Sequence, residues 1–270
     1  MKLTYLGTAA SEGFPAVFCN CAFCSEARKL KGKNIRTRSQ TLINDDLLLD
    51  FPPDTYHHFL ENDIRGDRIK YLFITHPHSD HFYYDDLKIR HSYYAHNREI
   101  DTLKVFCPEI VYKTFKETGI PQKIEVNIIK EFQTITLPEY EVTALPAKHN
   151  PSGALIYIIK GDKTLLYAHD TGYLFDDVFS HIEEKKIKFD MVSLDCTNVE
   201  VDIEDSGRHM GIPNNKRVIK KLEDIGALNR DAKIYINHFS HNGNPLYHVL
   251  EEKVKGTGIN VSYDGCVVEF

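Results

Sequence analysis

No apolar stretch in this sequence approaches the roughly 18 residues that suggest a membrane span. A membrane-embedded protein is therefore not expected. The chain also lacks the long apolar region and small-residue cleavage site of a signal peptide; Met1-Lys2-Leu3-Thr4-Tyr5-Leu6-Gly7 reads instead as a short strand entering a glycine turn. A cytoplasmic location is the expectation. Positive charge is not in excess: a net charge of -6 and a pI near 6.2 leave no broad basic field, which argues against a stable, sequence-independent complex with nucleic acid. Low-complexity linkers, solenoid-length repeats and composition shifts are missing too, so residues 1–270 are read as one domain.

What is present is an ordinary globular composition, 42% hydrophobic and 27% charged. Strand-like runs lie at Lys2 to Leu6, Gln40 to Ile43, Leu47 to Asp50, Tyr71 to Thr75 and Leu103 to Phe106. They recur at Glu141 to Leu145, Leu155 to Ile159, Thr164 to Ala168, Met191 to Leu194, Lys233 to Ile236 and Val267 to Phe270. Amphipathic segments at Thr55 to Glu61, Pro108 to Thr118, Leu174 to Lys186, Asn214 to Ile225 and Pro245 to Lys255 predict helices. This mixed α/β (α+β) pattern fits two packed sheets covered by helices, and equally a doubly wound sheet. The polar residues decide more.

Three histidines and one aspartate fall within six residues, His76-Pro77-His78-Ser79-Asp80-His81, directly after the buried-type strand Tyr71 to Thr75. Ligands in open α/β sheets gather at such C-terminal strand ends. His76 and His78, one residue apart in an extended segment stiffened by Pro77, aim to one side. Asp80 and His81 then address a second ion. Imidazole with carboxylate suits zinc, manganese or iron better than calcium, whose ligands are all oxygen.

The cluster resembles the H-x-H-x-D-H signature of the metallo-β-lactamase superfamily. That resemblance implies an αββα four-layer sandwich with two divalent ions (Mn2+, Zn2+ or Fe2+) between the sheets, and further ligands downstream. His149 matches the third histidine of the first site, Asp170 in Asp170-Thr171-Gly172 the bridging aspartate, and His238 the last ligand of the second. His209 matches a histidine that phosphodiesterase members carry between those two. The implied sets are His76, His78, His149 and Asp170 for one ion, and Asp80, His81, Asp170 and His238 for the other. His169 competes with Asp170, but adjacent strand positions face opposite ways, and Asp170 is preferred. Asp50 is expected to orient a ligand histidine from behind. His57, His58, His181 and His248 lie in helical patterns and are read as surface residues.

The other concentration is Cys19-Asn20-Cys21-Ala22-Phe23-Cys24, which holds half of the six cysteines. The span is read as too compact for a helix face or a disulfide ladder but suited to one tetrahedral structural zinc, with His241 as the fourth ligand if the N-terminal loop lies near His238. Together with Gly7-Thr8-Ala9-Ala10-Ser11-Glu12-Gly13-Phe14-Pro15, this loop resembles the opening of the phosphoribosyl cyclic phosphodiesterases of phosphonate breakdown, whose cysteine loop is closed by a histidine three residues after a ligand histidine. A protein of quinone-cofactor biosynthesis is similar in the same loop.

The expected activity is hydrolysis of a small cyclic or nucleotide-like phosphodiester by a metal-bridging hydroxide, with Asp80 and His209 as catalytic residues and His209 as the acid. The alternatives are a lactone or thioester hydrolase, a transfer-RNA 3′-processing nuclease, disfavoured because no long glycine-rich or basic insertion is found, and a noncatalytic accessory protein like the quinone-cofactor member. The tyrosine-rich segment Phe82 to Arg98 is a candidate substrate wall or a plain solvated helix and loop. The acidic run Val199 to Asp205 has no evident purpose. Family members are often dimeric, so the resemblance admits a homodimer.

Overall fold

A computed structural model describes all 270 residues. The first sheet is laid down by β1 (Lys2–Gly7), β2 (Gln40–Ile43), β3 (Leu47–Leu49), β4 (Tyr71–Phe73), β5 (Leu103–Cys107) and β6 (Ile124–Ile128). The second follows with β7 (Thr134–Thr136), β8 (Glu141–Pro146), β9 (Leu155–Lys160), β10 (Thr164–Ala168), β11 (Phe189–Asp195), β12 (Leu228–Asn237) and β13 (Ile259–Val261), after which β14 (Cys266–Glu269) returns to the first. Each sheet has seven strands, in the orders β14-β1-β2-β3-β4-β5-β6 and β13-β12-β11-β10-β9-β8-β7. The chain thus builds the two sheets almost one after the other.

Period-two alternation explains the layering. Leu49, Tyr71 and Phe73 point inward and meet Leu155, Tyr157 and Ile159 in the core between the sheets. Their sequence neighbours Leu48 and Leu72 join Val111 and Phe115 beneath the helices on the far side of the first sheet. Ile156 and Ile158 likewise pack with Val178, Phe179 and Leu222 on the far side of the second. Both sheets are buried on both faces, the αββα arrangement.

The helices are α1 (Ala22–Leu30), α2 (Thr55–Glu61), α3 (Tyr84–Leu87), α4 (Glu109–Thr118), α5 (Asp176–Glu184), α6 (Ile212–Asp224) and α7 (Tyr247–Val254). Local chemistry sets their ends: Asn214 Oδ1 accepts from the Gly211 N–H at 3.0 Å at the start of α6, and Pro213 lies in its first turn. Three strands, β6, β7 and β13, escape the sequence pattern. β6 and β7 alternate only weakly because much of each is exposed, and β13 is three residues long. Helix α1 also escapes it, since its first turn is occupied by the cysteines.

Strands β3 to β6 run parallel, as do β10 to β13. Their C-terminal ends therefore open at shared edges of the two sheets, and it is there that the polar residues collect. Leu155 donates its N–H to the Thr75 carbonyl at 3.0 Å and the Tyr157 hydroxyl donates to Ile74 at 2.6 Å, tying the sheets together directly under that edge.

Candidate metal centre

Six segments that leave C-terminal strand ends converge here. Asp50 follows β3, His76 to His81 follow β4, His149 follows β8, Asp170 follows β10, Asp195 closes β11 and His238 follows β12. Asp50, Asp170 and His238 have φ of 63°, 53° and 63°, the left-handed region that L residues enter at a cost of about 1–2 kcal/mol. Each leaves its strand by a sharp turn at the sheet edge. The loop carrying His209 comes close to Asp170 because Gly172 has no side chain: a Cβ there would lie 1.9 Å from the Gly207 carbonyl oxygen.

The donor atoms converge. His76 Nε2 is 2.9 Å from His78 Nδ1 and 3.0 Å from Asp170 Oδ2. His149 Nε2 is 3.3 Å from His78 Nδ1 and 3.4 Å from Asp170 Oδ2. On the other side His81 Nε2 lies 3.2 Å from Asp170 Oδ2, 3.4 Å from Asp80 Oδ2 and 3.3 Å from His238 Nε2. In each of the sets His76, His78, His149, Asp170 and Asp80, His81, Asp170, His238, the donor atoms all lie within 4.8 Å of one another. Donors at 2.0–2.1 Å from a tetrahedral ion are about 3.4 Å apart. The spacing fits.

Hydrogen bonding from behind decides which ring nitrogens face inward. Thr75 donates its N–H at 2.8 Å and its hydroxyl at 2.9 Å to Asp50 Oδ1, while Asp50 Oδ2 accepts from His81 Nδ1 at 2.7 Å. The same Thr75 oxygen accepts from His76 Nδ1 at 2.9 Å. Thr197 donates to Asp195 Oδ2 at 2.9 Å and accepts from His238 Nδ1 at 2.8 Å. With every Nδ1 used as a donor, His76, His81 and His238 turn Nε2 toward one another, where unprotonated lone pairs would repel. A cation between them resolves that repulsion.

The charge balance leads to the same chemistry. Asp50, Asp80, Asp170 and Asp195 are all buried, and so many carboxylates cannot share a dry site without positive charge. In the protein without metal, protons supply it. Burial alone would discharge His81, but Asp50 and Asp80 raise it well above the usual range, and Asp170 and Asp195 raise His238 in the same way. His209 Nδ1 sits 3.1 Å from Asp170 Oδ1 and 3.3 Å from Asp195 Oδ2, and these carboxylates overcome its burial to bring it to about 10. Burial instead brings His149 down to about 4. These clusters are able to bind metal ions.

The cysteine loop forms a second cluster. Bonds from Ala10 N to the Phe239 carbonyl (3.0 Å) and from Phe239 N to the Thr8 carbonyl (2.9 Å) lay the N-terminal segment along the chain between His238 and His241. Contrary to the sequence expectation, part of the cysteine span is helical. Cys21 caps α1 and Cys24 lies in its first turn, so the helix itself folds one thiol back toward the other. Cys24 and Cys21 Sγ lie 3.6 and 3.9 Å from His241 Nδ1, close to the about 3.5 Å separating a sulfur and a nitrogen on one tetrahedral zinc. Cys19, Cys21, Cys24 and His241 form a set of four with no disulfide.

A family model described as the Beta-lactamase superfamily domain matches residues 47–238. The chain belongs to that superfamily. It is 23% identical over 318 aligned positions to coenzyme PQQ synthesis protein B of Acinetobacter baumannii (strain ACICU), with 100% of both chains covered. Its structure is similar to a diphosphatase from the PhnP family, at a TM-score of 0.77 and 22% identity over 100% of this chain and 97% of that one. It is also similar to Zn(2+)-bound PqqB from Methylobacterium extorquens, at a TM-score of 0.78 and 19% identity over 100% of both. At these identities the structural likeness shows the shared metallo-β-lactamase fold.

Within that superfamily fold, sequence reasoning missed Asp195, Thr75 and Thr197. The available signal was position: Asp195 ends a buried strand, as Asp50 and Asp170 nearly do. It also accepts the Met210 N–H at 2.8 Å, which fixes the chain beside His209. His169 faces away from the cluster, with Nε2 2.6 Å from Ser193 Oγ. His58 is not on the surface; it is buried, with Nδ1 donating to Gln40 Oε1 at 2.7 Å. The Phe82 to Arg98 segment packs on α4, where Phe82 and Tyr84 meet Phe115. In the acidic run, Asp202 and Asp205 are engaged by Arg217 at 2.7 and 3.1 Å, which draws their charge toward α6.

Proposed function

We propose that this protein is a phosphodiesterase acting on a small cyclic or nucleotide-like phosphodiester. His76, His78, His149 and Asp170 hold one divalent ion, and Asp80, His81, Asp170 and His238 hold the other. Bound there, zinc, manganese or iron would supply Lewis acidity toward a phosphoryl oxygen and activate a water. A structural zinc belongs to Cys19, Cys21, Cys24 and His241.

The observation that carries the choice of substrate is a polar pocket of about 360 Å³ beside His149, whose lining sets Lys148 and Arg208 next to Phe175. Lys148 Nζ stands 4.7 Å over the Phe175 ring. Ammonium, guanidinium and aromatic face together suit a phosphoester joined to a flat or sugar-like group better than a neutral lactone. Asp177 and Glu131 at the same pocket disfavour a second strong anion deep within it. His209, about 30% exposed at the rim of the cluster, holds its proton between Asp170 and Asp195. With Nδ1–H held there, it is the second ring N–H, at Nε2, that hydrogen-bonds a non-bridging oxygen or passes its proton to the departing alkoxide. Asp80 positions the second ion and carries charge without exchanging a proton, since His81 keeps its carboxyl well below the usual range against the opposing effect of burial.

The test is hydrolysis of bis(p-nitrophenyl) phosphate and of an aryl lactone by metal-replete protein, with elemental analysis alongside. Phosphodiester turnover that His209→Ala removes while metal content stays is the expected result. Turnover of the lactone alone would sink the proposal. The full-length similarity to a PQQ synthesis protein supports an accessory role as the second reading, and absence of any turnover with both sites filled would favour it.

A further inference from the structure

On the far side of the first sheet, away from the metal cluster, lies a cavity of about 570 Å³ between α2 and the segment after α3. Its floor includes Leu48 and Leu72, one wall is Phe59 and Leu60, and the lip carries Ile89 and Tyr94. Leu60, Ile89 and Tyr94 are 64%, 53% and 65% exposed, which leaves large apolar side chains at an open mouth. The volume is in the range of about 300–1,000 Å³ usual for small-molecule sites.

Two guanidinium groups line the same cavity. Arg98 is about nine-tenths buried, and its Nε has no hydrogen-bond partner. Its remaining bonds go to the Arg90 and Ala95 carbonyls, with only a 3.6 Å approach to the exposed Asp101. Arg90 also donates only to carbonyls, those of Lys123, Ile100 and Asp101. Of the two carboxylates at the cavity, Asp67 is already paired with Arg65 at 3.0 Å. Asp86 is partly buried and pairs with neither arginine; its desolvation and the neighbouring Asp85 shift its carboxyl upward. Buried cations require a counter-charge, and an orphaned N–H costs about 1–3 kcal/mol. The cavity is therefore apolar along most of its length and electropositive at one end.

We infer that this cavity is a binding site for a small amphipathic carboxylate, whose chain or ring fills the apolar space and whose carboxylate meets Arg98 and Arg90. A second copy of the chain fits less well. A two-fold contact would bring the partner's matching guanidinium pair to the same patch and add like charge. The inference is independent of the phosphodiesterase proposal, because none of the residues involved belongs to either metal cluster.

The chain contains no tryptophan, so Tyr94→Trp places a single, selectively excitable tryptophan at the cavity mouth. Titration of this otherwise full-length protein with decanoate should give a saturable fluorescence change below the micellar range, with decanol binding at least about tenfold more weakly, as expected for loss of a charge-assisted hydrogen bond. In the same background Arg98→Gln should weaken decanoate by about tenfold and leave decanol unchanged. Arg90→Gln is the second charge variant if Arg98→Gln fails to fold, and Leu60→Glu should weaken both ligands. Equal affinity for decanoate and decanol, or charge variants with unaltered decanoate binding, would overturn the inference. So would absence of saturable binding, and so would light scattering that shows a dimer dispersed by Leu60→Glu.

Discussion

His238 and His241 are three residues apart yet serve clusters of opposite character. Around His238 four buried carboxylates and several histidines converge with donor atoms to spare, and the rim is open at His78 and His209. Around His241 three thiols and one imidazole make up a closed set, without a nearby acid to spare beyond Glu12, whose Oε1 accepts from Ser240 at 2.6 Å. Surplus donors and open edges leave room for substrate, whereas a filled tetrahedron does not. Chemistry is expected at the first and mechanical restraint at the second.

The harshest way to break this contrast is Asp170→Ala. It removes the one carboxylate common to both histidine sets, so turnover should fall at least about a thousandfold and elemental analysis should show loss of the active-site ions but not of the cysteine-loop zinc. His209→Ala should lower kcat by about a hundredfold to ten-thousandfold with metal content unchanged; loss of metal would make His209 a ligand. Asp195→Asn should weaken metal at the second site by about 10–100-fold, read by competition with a chelator. Cys24→Ser should remove the loop zinc and lower the Tm, yet reduce kcat per filled active site less than about tenfold. A larger loss of kcat would dissolve the distinction between the two clusters.

The smallest effect is expected in the polar network behind the first cluster. There Gln40 Nε2 donates to the Asp50 carbonyl at 3.0 Å, and His58 stands behind Gln40. Burial, reinforced by His57 and Arg38, brings His58 down to about 3, below the roughly 6.5 of an unfolded histidine. As pH falls below about 6.5 the unfolded chain takes up this proton first, so the stability that His58 contributes is lost toward pH 3. The stability gap between native protein and His58→Gln should therefore shrink by on the order of 1 kcal/mol between pH 7 and pH 5, measured by urea unfolding. A gap independent of pH would mean that the ring titrates in the fold as it does in the unfolded chain.

The contrast between the clusters also governs how much could be read from the chain. His76 to His81 are contiguous, and their chemistry is legible from spacing. Most strands were legible too, because alternation reports burial directly: Leu48 and Leu49 face different layers for that reason alone. Edge strands such as β7, with two of its three residues exposed, carry no such signal. Helix α1 was hidden because metal-type cysteine spacing and the first turn of a helix overlap at Cys21 and Cys24. The burial of His58 was invisible, since a helical pattern gives the face but not what covers it.

By itself the sequence determined the residue types at the strand ends, the periodicities that make two doubly buried sheets, and membership in a superfamily whose histidine motif survives intact. Only the tertiary structure decided that Asp195 and Thr197 orient His238, that Gly172 admits the loop bearing His209, and that Phe239 brings the cysteines to His241. The reason is one of distance along the chain. Local propensity acts over a few residues, whereas each of these contacts joins segments whose separation in sequence is overcome only when the two sheets pack and their edges meet.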